Sequence, residues 1–194
     1  MKKLIIISLI LFVITSAANR IYFDHFYAYE ITGISMMPNV QDGEELFVYR
    51  NYYKKNEPQY GDVVVTRIET EGEGTFLKRI IALPGDQVKT VNGTVYINNK
   101  LRTSTTERSM NIYRETLPNN VSYNILNTTD TSNIDDFEIT EIPKDFIFIL
   151  GDNRKKSFDS RQTGLVEISN FLHKIVPKDH FVYNFNFFFF KNFM

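Results

Sequence analysis

The segment FLKRIIALPGD (Phe76–Asp86) combines a short apolar run with the turn residues Pro and Gly, which predicts a β-strand that ends in a tight turn. Alternate side chains of a strand point to opposite faces. Phe76, Lys78 and Ile80 therefore share one face of this strand. The other face carries three residues: Leu77, Arg79 and Ile81. A lysine between two large apolar neighbours is unusual, because lysine is rarely buried without a partner.

Lys78 has two alternative interpretations. The pKa of a free lysine is about 10.4, and burial disfavours the ammonium form and lowers that pKa by up to about 3–5 units. An amine that is neutral at about pH 7–8 can act as a general base for a serine hydroxyl. In the alternative, the lysine lies at a strand edge and its ammonium group extends into water.

Further segments rich in β-branched and aromatic residues predict a mostly β protein with an antiparallel core. These segments are Glu44–Arg50, Gly61–Ile68, Asp86–Val91, Thr94–Asn98 and Phe146–Arg154. Asn92-Gly93 separates two of them and is typical of a type I′ hairpin turn, whose central residues have positive φ. Sustained helical periodicity is not found after residue 20.

The predicted catalytic β core consists of residues 21–98 and 143–183, interrupted by a smaller β-rich insertion at residues 99–142. The insertion is more polar than its surroundings, and we expect it to pack loosely on the denser core. Short strands are expected within it at Val121–Leu126 and Phe137–Ile139.

Residues 1–20 predict one N-terminal transmembrane helix that serves as a membrane anchor. The uncharged segment Leu4–Asn19 has 16 residues and spans roughly 24 Å as a helix, against a bilayer core of about 30 Å. Lysine side chains that reach the interface and local thinning of the bilayer can accommodate the difference. A cleaved signal peptide is the alternative, because Ser16-Ala17-Ala18 has the small-x-small pattern of a cleavage site. In both cases Lys2 and Lys3 remain cytoplasmic and the rest of the chain lies on the outer side.

One aromatic segment begins the predicted core and another follows it. Ile21–Glu30 is typical of an aromatic belt at the membrane surface and also of a first β-strand, and both can hold. Residues 184–194 form an aromatic tail. A final strand is the simpler interpretation of the tail, and a second membrane contact is the alternative.

The composition excludes several kinds of chemistry. The 194 residues include 22 basic and 23 acidic side chains, so the basic surface of a nucleic-acid-binding protein is missing. The absence of cysteine excludes disulfides and thiolate catalysis. His25 lies in an aromatic segment, and His173 and His180 have no carboxylate pattern around them. Metal-ligand spacing is not found either, and we expect no cofactor, no metal and no nucleic acid.

Four motifs occur in order along the chain: GISMMPN (Gly33–Asn39), GDVVV (Gly61–Val65), KRIIALPGD (Lys78–Asp86) and GDNRKKSFDSRQTGLV (Gly151–Val166). Together, after a single apolar N-terminal segment, they closely resemble the conserved boxes of type I signal peptidases, the membrane-bound Ser/Lys proteases. The resemblance extends from the N-terminal segment to about Ile175, and it favours an anchor that is retained.

This resemblance implies roles for individual residues. Ser35 matches the family's nucleophile and Lys78 its general base. Ser157 matches the serine whose hydroxyl helps to position the lysine amine. Arg79 resembles the arginine that braces the site by pairing with a carboxylate, here Asp152.

The resemblance also assigns supporting residues around the nucleophile. Asp159 and Arg161 resemble a second structural ion pair, and Met37 shapes the turn after the nucleophile. Ile31 and Leu77 match the apolar residues that line pockets for small substrate side chains. Together with Gly33 and Met37 they are the residues expected to bind the substrate.

Gly33 departs from the pattern of some family members, which carry a serine at this position that donates to the oxyanion. Other branches of the family have glycine here. The oxyanion would then rely on the backbone N–H of Ser35. Loss of one such donor costs roughly 10²–10³ in rate where that donor was in use.

The sequence therefore predicts a membrane-bound serine endopeptidase that removes signal peptides from secretory preproteins and cuts after small residues of the Ala-X-Ala type. We expect a single-pass protein of the cell membrane whose catalytic domain contacts preproteins and the lipid bilayer on the outer side. One alternative is a LexA-like Ser/Lys autoprotease, although residues 1–20 do not resemble a DNA-binding segment. The other is a membrane-tethered β scaffold in secretion or pilus assembly, against which the joint presence of Ser35, Lys78 and Ser157 argues.

Overall fold

The computed structural model describes residues 2–68, 74–91, 94–107, 111–126 and 136–176. Two α-helices and fourteen strands lie in these ranges. They are α1 (Lys2–His25), β1 (Phe26–Glu30), β2 (Glu45–Arg50), β3 (Val63–Arg67), β4 (Thr75–Ala82), β5 (Val88–Val91), β6 (Thr94–Ile97), β7 (Lys100–Leu101), β8 (Thr103–Glu107), β9 (Ile112–Thr116), β10 (Ser122–Leu126), β11 (Phe137–Ile139), β12 (Phe146–Leu150), α2 (Ser160–Thr163), β13 (Val166–Glu167) and β14 (Phe171–Val176).

Seven of these strands form the largest sheet, in the order β1-β2-β14-β3-β4-β12-β13. Its named strand pairs are antiparallel, so the mostly β, antiparallel fold predicted from the sequence is confirmed. The strand that carries Lys78, β4, lies in the interior of the sheet between β3 and β12, where Lys78 is opposite Val64. An interior strand is flanked on both sides, which places its side chains among packed neighbours.

Two smaller sheets complete the fold of the described residues. One has the order β11-β5-β6-β7 and the other the order β10-β9-β8. Val91 is paired with Thr94, as expected for the predicted hairpin, while its turn residues Asn92 and Gly93 lie outside the described residues. Strand β11 belongs to the predicted insertion but pairs with β5 of the predicted core, so the sheet boundaries do not follow the boundary at residue 98.

The insertion shares a hydrophobic core with the large sheet. Leu117, Tyr123 and Ile125 from the insertion are buried together with Ile81 of β4 and Phe148 of β12. The expectation of loose packing is therefore wrong. The sequence is polar in this region because many of its side chains face solvent, while a few large apolar side chains are enough to join it to the shared core.

The N-terminal helix extends beyond the end predicted at residue 20 and reaches His25. The aromatic segment Ile21–Glu30 is therefore divided between the end of α1 and the edge strand β1, whose Phe26 ring stacks on Tyr49 of β2 at 4.6 Å. Within the part of the chain that the structure describes, no helix is both long enough and apolar enough to cross a membrane. The aromatic tail at residues 184–194 lies outside the described residues.

Candidate active site

Ser35 lies on the loop between β1 and β2, and burial of apolar residues fixes that loop. Ile31, Met36 and Val40 are buried in one cluster with core residues of the large sheet. Gly33 has a φ of +102°, a conformation that favours glycine, and its N–H donates to the Asp42 carboxylate at 2.6 Å. The loop is therefore held from both sides of the nucleophile candidate, although Ser35 itself is only half-buried.

The amine of Lys78 contacts the hydroxyl of Ser35. The distance from Lys78 Nζ to Ser35 Oγ is 3.1 Å, and Nζ also donates to the backbone carbonyl of Leu77 at 3.0 Å. Lys78 is 2% exposed, and its Nζ lies 5.5 Å from the centre of the Phe76 ring. The interpretation of Lys78 as a buried lysine on the Phe76 face of the strand is thus confirmed.

Burial lowers the pKa of Lys78 to about 8. The carboxylates of Asp159 and Asp152 oppose this shift, and the positive charge of Arg161 adds to it. Neither carboxylate forms an ion pair with Lys78, since each is engaged by an arginine. A substantial fraction of the amine is therefore neutral in mildly alkaline solution, and a neutral amine in contact with a hydroxyl can accept its proton.

Ser157 lies beside this pair but does not contact the lysine as expected. Its hydroxyl is buried and has no hydrogen-bond partner within the described part of the chain. It packs on Gly151, where an added Cβ would overlap the Ser157 hydroxyl and lie 2.6 Å from the carbonyl oxygen of Ser35. The predicted hydrogen bond from Ser157 to Lys78 is absent because the amine is directed at Ser35 and at the Leu77 carbonyl.

The two ion pairs expected from the motifs are both formed. Arg79 binds Asp152 through two hydrogen bonds of 2.8 and 2.7 Å and also donates to the carbonyl of Gly61 at 2.9 Å. Burial opposes the charge of Arg79, but the Asp152 carboxylate raises its pKa above the usual value. Arg161 binds Asp159 through two hydrogen bonds of 2.8 Å.

Sequence reasoning missed three polar residues that hold these elements together. The Asn39 amide donates to both Asp152 and the backbone of Asn124, each at 2.7 Å. Asn153 donates its backbone N–H to the Ser35 carbonyl at 2.9 Å and its amide to the Ile34 carbonyl at 3.1 Å. Glu115, from the insertion, pairs with Arg154. Asn39 and Asn153 occur in the quoted motifs, which was a usable signal, whereas nothing in the local sequence marks Glu115.

The residues expected to line the substrate pockets lie next to the Ser35–Lys78 pair. Ile31 and Leu77 belong to the same buried cluster and are 5% and 8% exposed. Met37 is half-buried, and Gly33 is exposed. Ile31 and Leu77 are thus brought together from different parts of the chain, and only a small part of each surface is left accessible. Within the described ranges, no group of three or more metal-ligating side chains is found.

Comparison with known proteins defines first a class and then a family. The class is that of the peptidases, because the family described as "Signal peptidase, peptidase S26" matches residues 1–178. The chain is 33% identical over 162 residues to signal peptidase IB from Staphylococcus aureus (strain MRSA252), which covers 81% of this chain and 82% of that protein. It is also 33% identical over 143 residues to signal peptidase I from Bacillus licheniformis, covering 73% of this chain and 70% of that protein.

The chain therefore belongs to the signal peptidase family, peptidase S26. This confirms the resemblance that the four motifs carry. Among solved structures, a signal peptidase I from Enterococcus faecalis V583 is similar with a TM-score of 0.43 and 24% identity, covering 62% of this chain and 98% of that chain.

Replacing Lys78 with methionine is expected to stabilise the protein at neutral pH. The pKa falls from 10.5 to about 8, so the folded protein carries the ammonium form at a cost of about 3 kcal/mol. This destabilisation is fully present below about pH 8 and disappears as the pH rises from about 8 to 10.5. The substitution also removes the two hydrogen bonds that Nζ donates. We therefore expect Lys78→Met to raise the free energy of unfolding by about 1–3 kcal/mol at pH 7.

Urea unfolding at several pH values measures this gain. The matched control is Lys55→Met, because Lys55 is exposed and its replacement should change stability by less than about 0.5 kcal/mol. A gain for Lys78→Met that is independent of pH, or a loss at pH 7, would contradict a buried lysine with a lowered pKa.

Proposed function

We propose that this member of the signal peptidase family is a membrane-bound serine endopeptidase that removes signal peptides from secretory preproteins. The observation that carries the proposal is the 3.1 Å contact between Lys78 Nζ and Ser35 Oγ, made by a lysine whose pKa burial lowers to about 8. Family membership supplies the reaction class, and this contact supplies a nucleophile with an adjacent base.

In the proposed reaction, neutral Lys78 takes the proton of the Ser35 hydroxyl as the Ser35 oxygen attacks the scissile carbonyl. Collapse of the tetrahedral intermediate transfers that proton to the leaving amine, and an acyl-enzyme remains on Ser35. A water molecule then loses a proton to the Lys78 amine as it attacks the ester carbonyl of the acyl-enzyme. Lys78 returns that proton to the Ser35 oxygen as the ester bond breaks, and the signal peptide leaves with a new carboxyl end. Each step balances with Lys78 as the single proton carrier, so neither metal nor cofactor is required.

The backbone N–H of Ser35 is proposed to bind the oxyanion. In the described part of the chain this N–H has no acceptor, which leaves it available. The N–H of Gly33 is already bound to Asp42, and Gly33 has no side chain that could donate. The oxyanion hole therefore depends on the backbone at Ser35, and the hydrogen bond from Asn153 to the Ser35 carbonyl fixes the neighbouring backbone in position.

The substrate is proposed to lie extended along the edge strand β1, which precedes Ser35 in the chain. Strand β1 is at the end of the seven-stranded sheet, so one side of its backbone can pair with an added strand. The accessible surfaces of Ile31 and Leu77 are small, which favours shallow pockets for alanine and similar side chains. Such pockets account for cleavage of the Ala-X-Ala type.

Helix α1 is proposed to anchor the enzyme in the cell membrane, with the catalytic domain on the outer side. Nine large apolar side chains between Ile5 and Ile14 are 53–69% exposed. A continuous apolar surface of this kind favours contact with lipid. Lys3 precedes it at the end expected to remain cytoplasmic.

Ser157 is proposed to assist the amine during the reaction. A buried hydroxyl without a partner has an unfavourable free energy, and the Ser157 hydroxyl is in this state beside the Ser35 carbonyl. A small movement of the lysine, once Ser35 is acylated, would give this hydroxyl its partner.

Alanine substitutions test the proposed dyad. We expect Ser35→Ala and Lys78→Ala each to abolish cleavage of a preprotein by the detergent-purified protein, because one lacks the nucleophile and the other its base. Ser157→Ala should lower the rate by about 10-fold. Ser169→Ala and Lys144→Ala are matched controls on the exposed surface. Full activity of Lys78→Ala would exclude the proposed mechanism.

The pH dependence of the rate tests the protonation state of Lys78. The amine must be neutral to accept a proton, so the rate should rise with pH through a midpoint near 8, the pKa that burial gives to Lys78. Single-turnover cleavage measured between pH 6 and about pH 10 gives the profile. A rate that stays constant across this range would contradict a base with the lowered pKa.

Mass spectrometry of the N-terminus of the mature protein tests the anchor. If α1 is retained, the protein from the membrane fraction begins at Met1. A protein that begins at Asn19 would mean that cleavage after Ala18 releases the domain, and it would exclude the anchor while leaving the dyad untouched.

A further inference from the structure

A buried ion pair joins the inserted sheet to the loop after β12. Arg154 binds the carboxylate of Glu115, on β9, through hydrogen bonds of 2.8 and 2.6 Å. The two side chains are 1% and 0% exposed. The hydroxyl of Tyr123, on β10, donates to the same carboxylate, and the ring of Tyr123 lies 4.1 Å from the guanidinium carbon of Arg79.

Arg154 is part of the segment that holds the Ser35 loop. Its Nε donates to the Gly151 carbonyl at 3.2 Å, and its backbone N–H donates to the Leu126 carbonyl at 2.9 Å. The preceding residue, Asn153, makes the two hydrogen bonds to the carbonyls of Ser35 and Ile34. A shift of Arg154 therefore moves the residue that fixes the backbone of the nucleophile.

Glu115 supplies the negative charge that lets Arg154 occupy this position. Desolvation opposes a buried guanidinium, yet the Glu115 carboxylate raises the pKa of Arg154 above its usual value. Without Glu115, Arg154 would be a buried and uncompensated charge, which is strongly unfavourable. The guanidinium would then move towards water and pull on residues 151–154.

We propose that Glu115 is a positioning residue for Ser35, which acts through Arg154 and Asn153. The inserted sheet is then a structural part of the active site, although it contributes no group that touches the substrate. This inference rests on the proposed function, because it assumes that Ser35 is the nucleophile.

The first test is Glu115→Gln, which keeps the size of the side chain and removes its charge. We expect kcat for preprotein cleavage to fall by about 10- to 100-fold, since small displacements of a reacting group have effects of this size. KM should change by less than about threefold, because Ile31 and Leu77 lie in a separate cluster. The midpoint of the pH profile should stay near 8, because Glu115 is not among the charges that shift the pKa of Lys78.

Two controls separate positioning from loss of stability. Ile125→Ala creates a cavity in the shared core without touching the ion pair, and it should retain kcat within about threefold at temperatures where it is folded. Glu138→Gln removes a carboxylate from an exposed pair with Lys89 and should leave both kcat and KM unchanged.

A triple variant tests the positioning role of Glu115 if Glu115→Gln does not fold. In Glu115→Leu/Tyr123→Phe/Arg154→Met, apolar side chains replace the buried polar cluster, an exchange that often preserves stability. We expect a folded protein whose kcat remains reduced by about 10-fold or more, because the hydrogen bond to Gly151 is lost.

Recovery of kcat together with the melting temperature in the triple variant would overturn the proposal and leave Glu115 a purely stabilising role. Unchanged kcat in a folded Glu115→Gln protein would overturn it as well. An error in the proposed function would give another result: the wild-type protein would not cleave preproteins, or Ser35→Ala would remain active.

Discussion

A lysine amine buried without a carboxylate partner, in contact with a serine hydroxyl, is the constraint on which the rest of this structure depends. Three other buried cations in the described residues, Arg79, Arg154 and Arg161, are each bound by a carboxylate through two hydrogen bonds. Because these carboxylates are engaged, Lys78 is left with burial as the main influence on its pKa, which falls to about 8. An unengaged Asp152 or Asp159 would instead favour the ammonium form.

The same ion pairs also define the geometry around Ser35. Asp152 binds Arg79 of the large sheet and Asn39 of the loop that carries Ser35. Asp159 binds Arg161 and accepts the N–H of Gly151, beside which the Ser35 carbonyl lies. The polar network thus keeps Lys78 free of counter-ions and fixes the loop that presents the hydroxyl. Its cost in desolvation is offset by bidentate hydrogen bonds within a shared hydrophobic core.

The strands that the sequence predicted correctly are those with dense apolar alternation, such as β3, β4 and β12, because each buries large side chains. The strands that it missed include β8 and β9, in a stretch rich in threonine, serine and charged residues. Their pairing is set by hydrogen bonding of the backbone along the three-stranded sheet, which leaves little trace in hydrophobicity. Strand β14 was missed because His173 and Lys174 interrupt its apolar residues.

The sequence by itself determined the family, the candidate pair of Ser35 and Lys78, and the local preferences for strand and turn, since these depend on residue type and on short spacings. The tertiary structure decided the rest. Ser35 and Lys78 are 43 residues apart, and Glu115 and Arg154 are 39 apart, so only the antiparallel sheets and the shared core bring them into contact. The tertiary structure also decided the protonation state of the Lys78 amine, because the pKa of Lys78 depends on burial and on charges that the fold assembles around it.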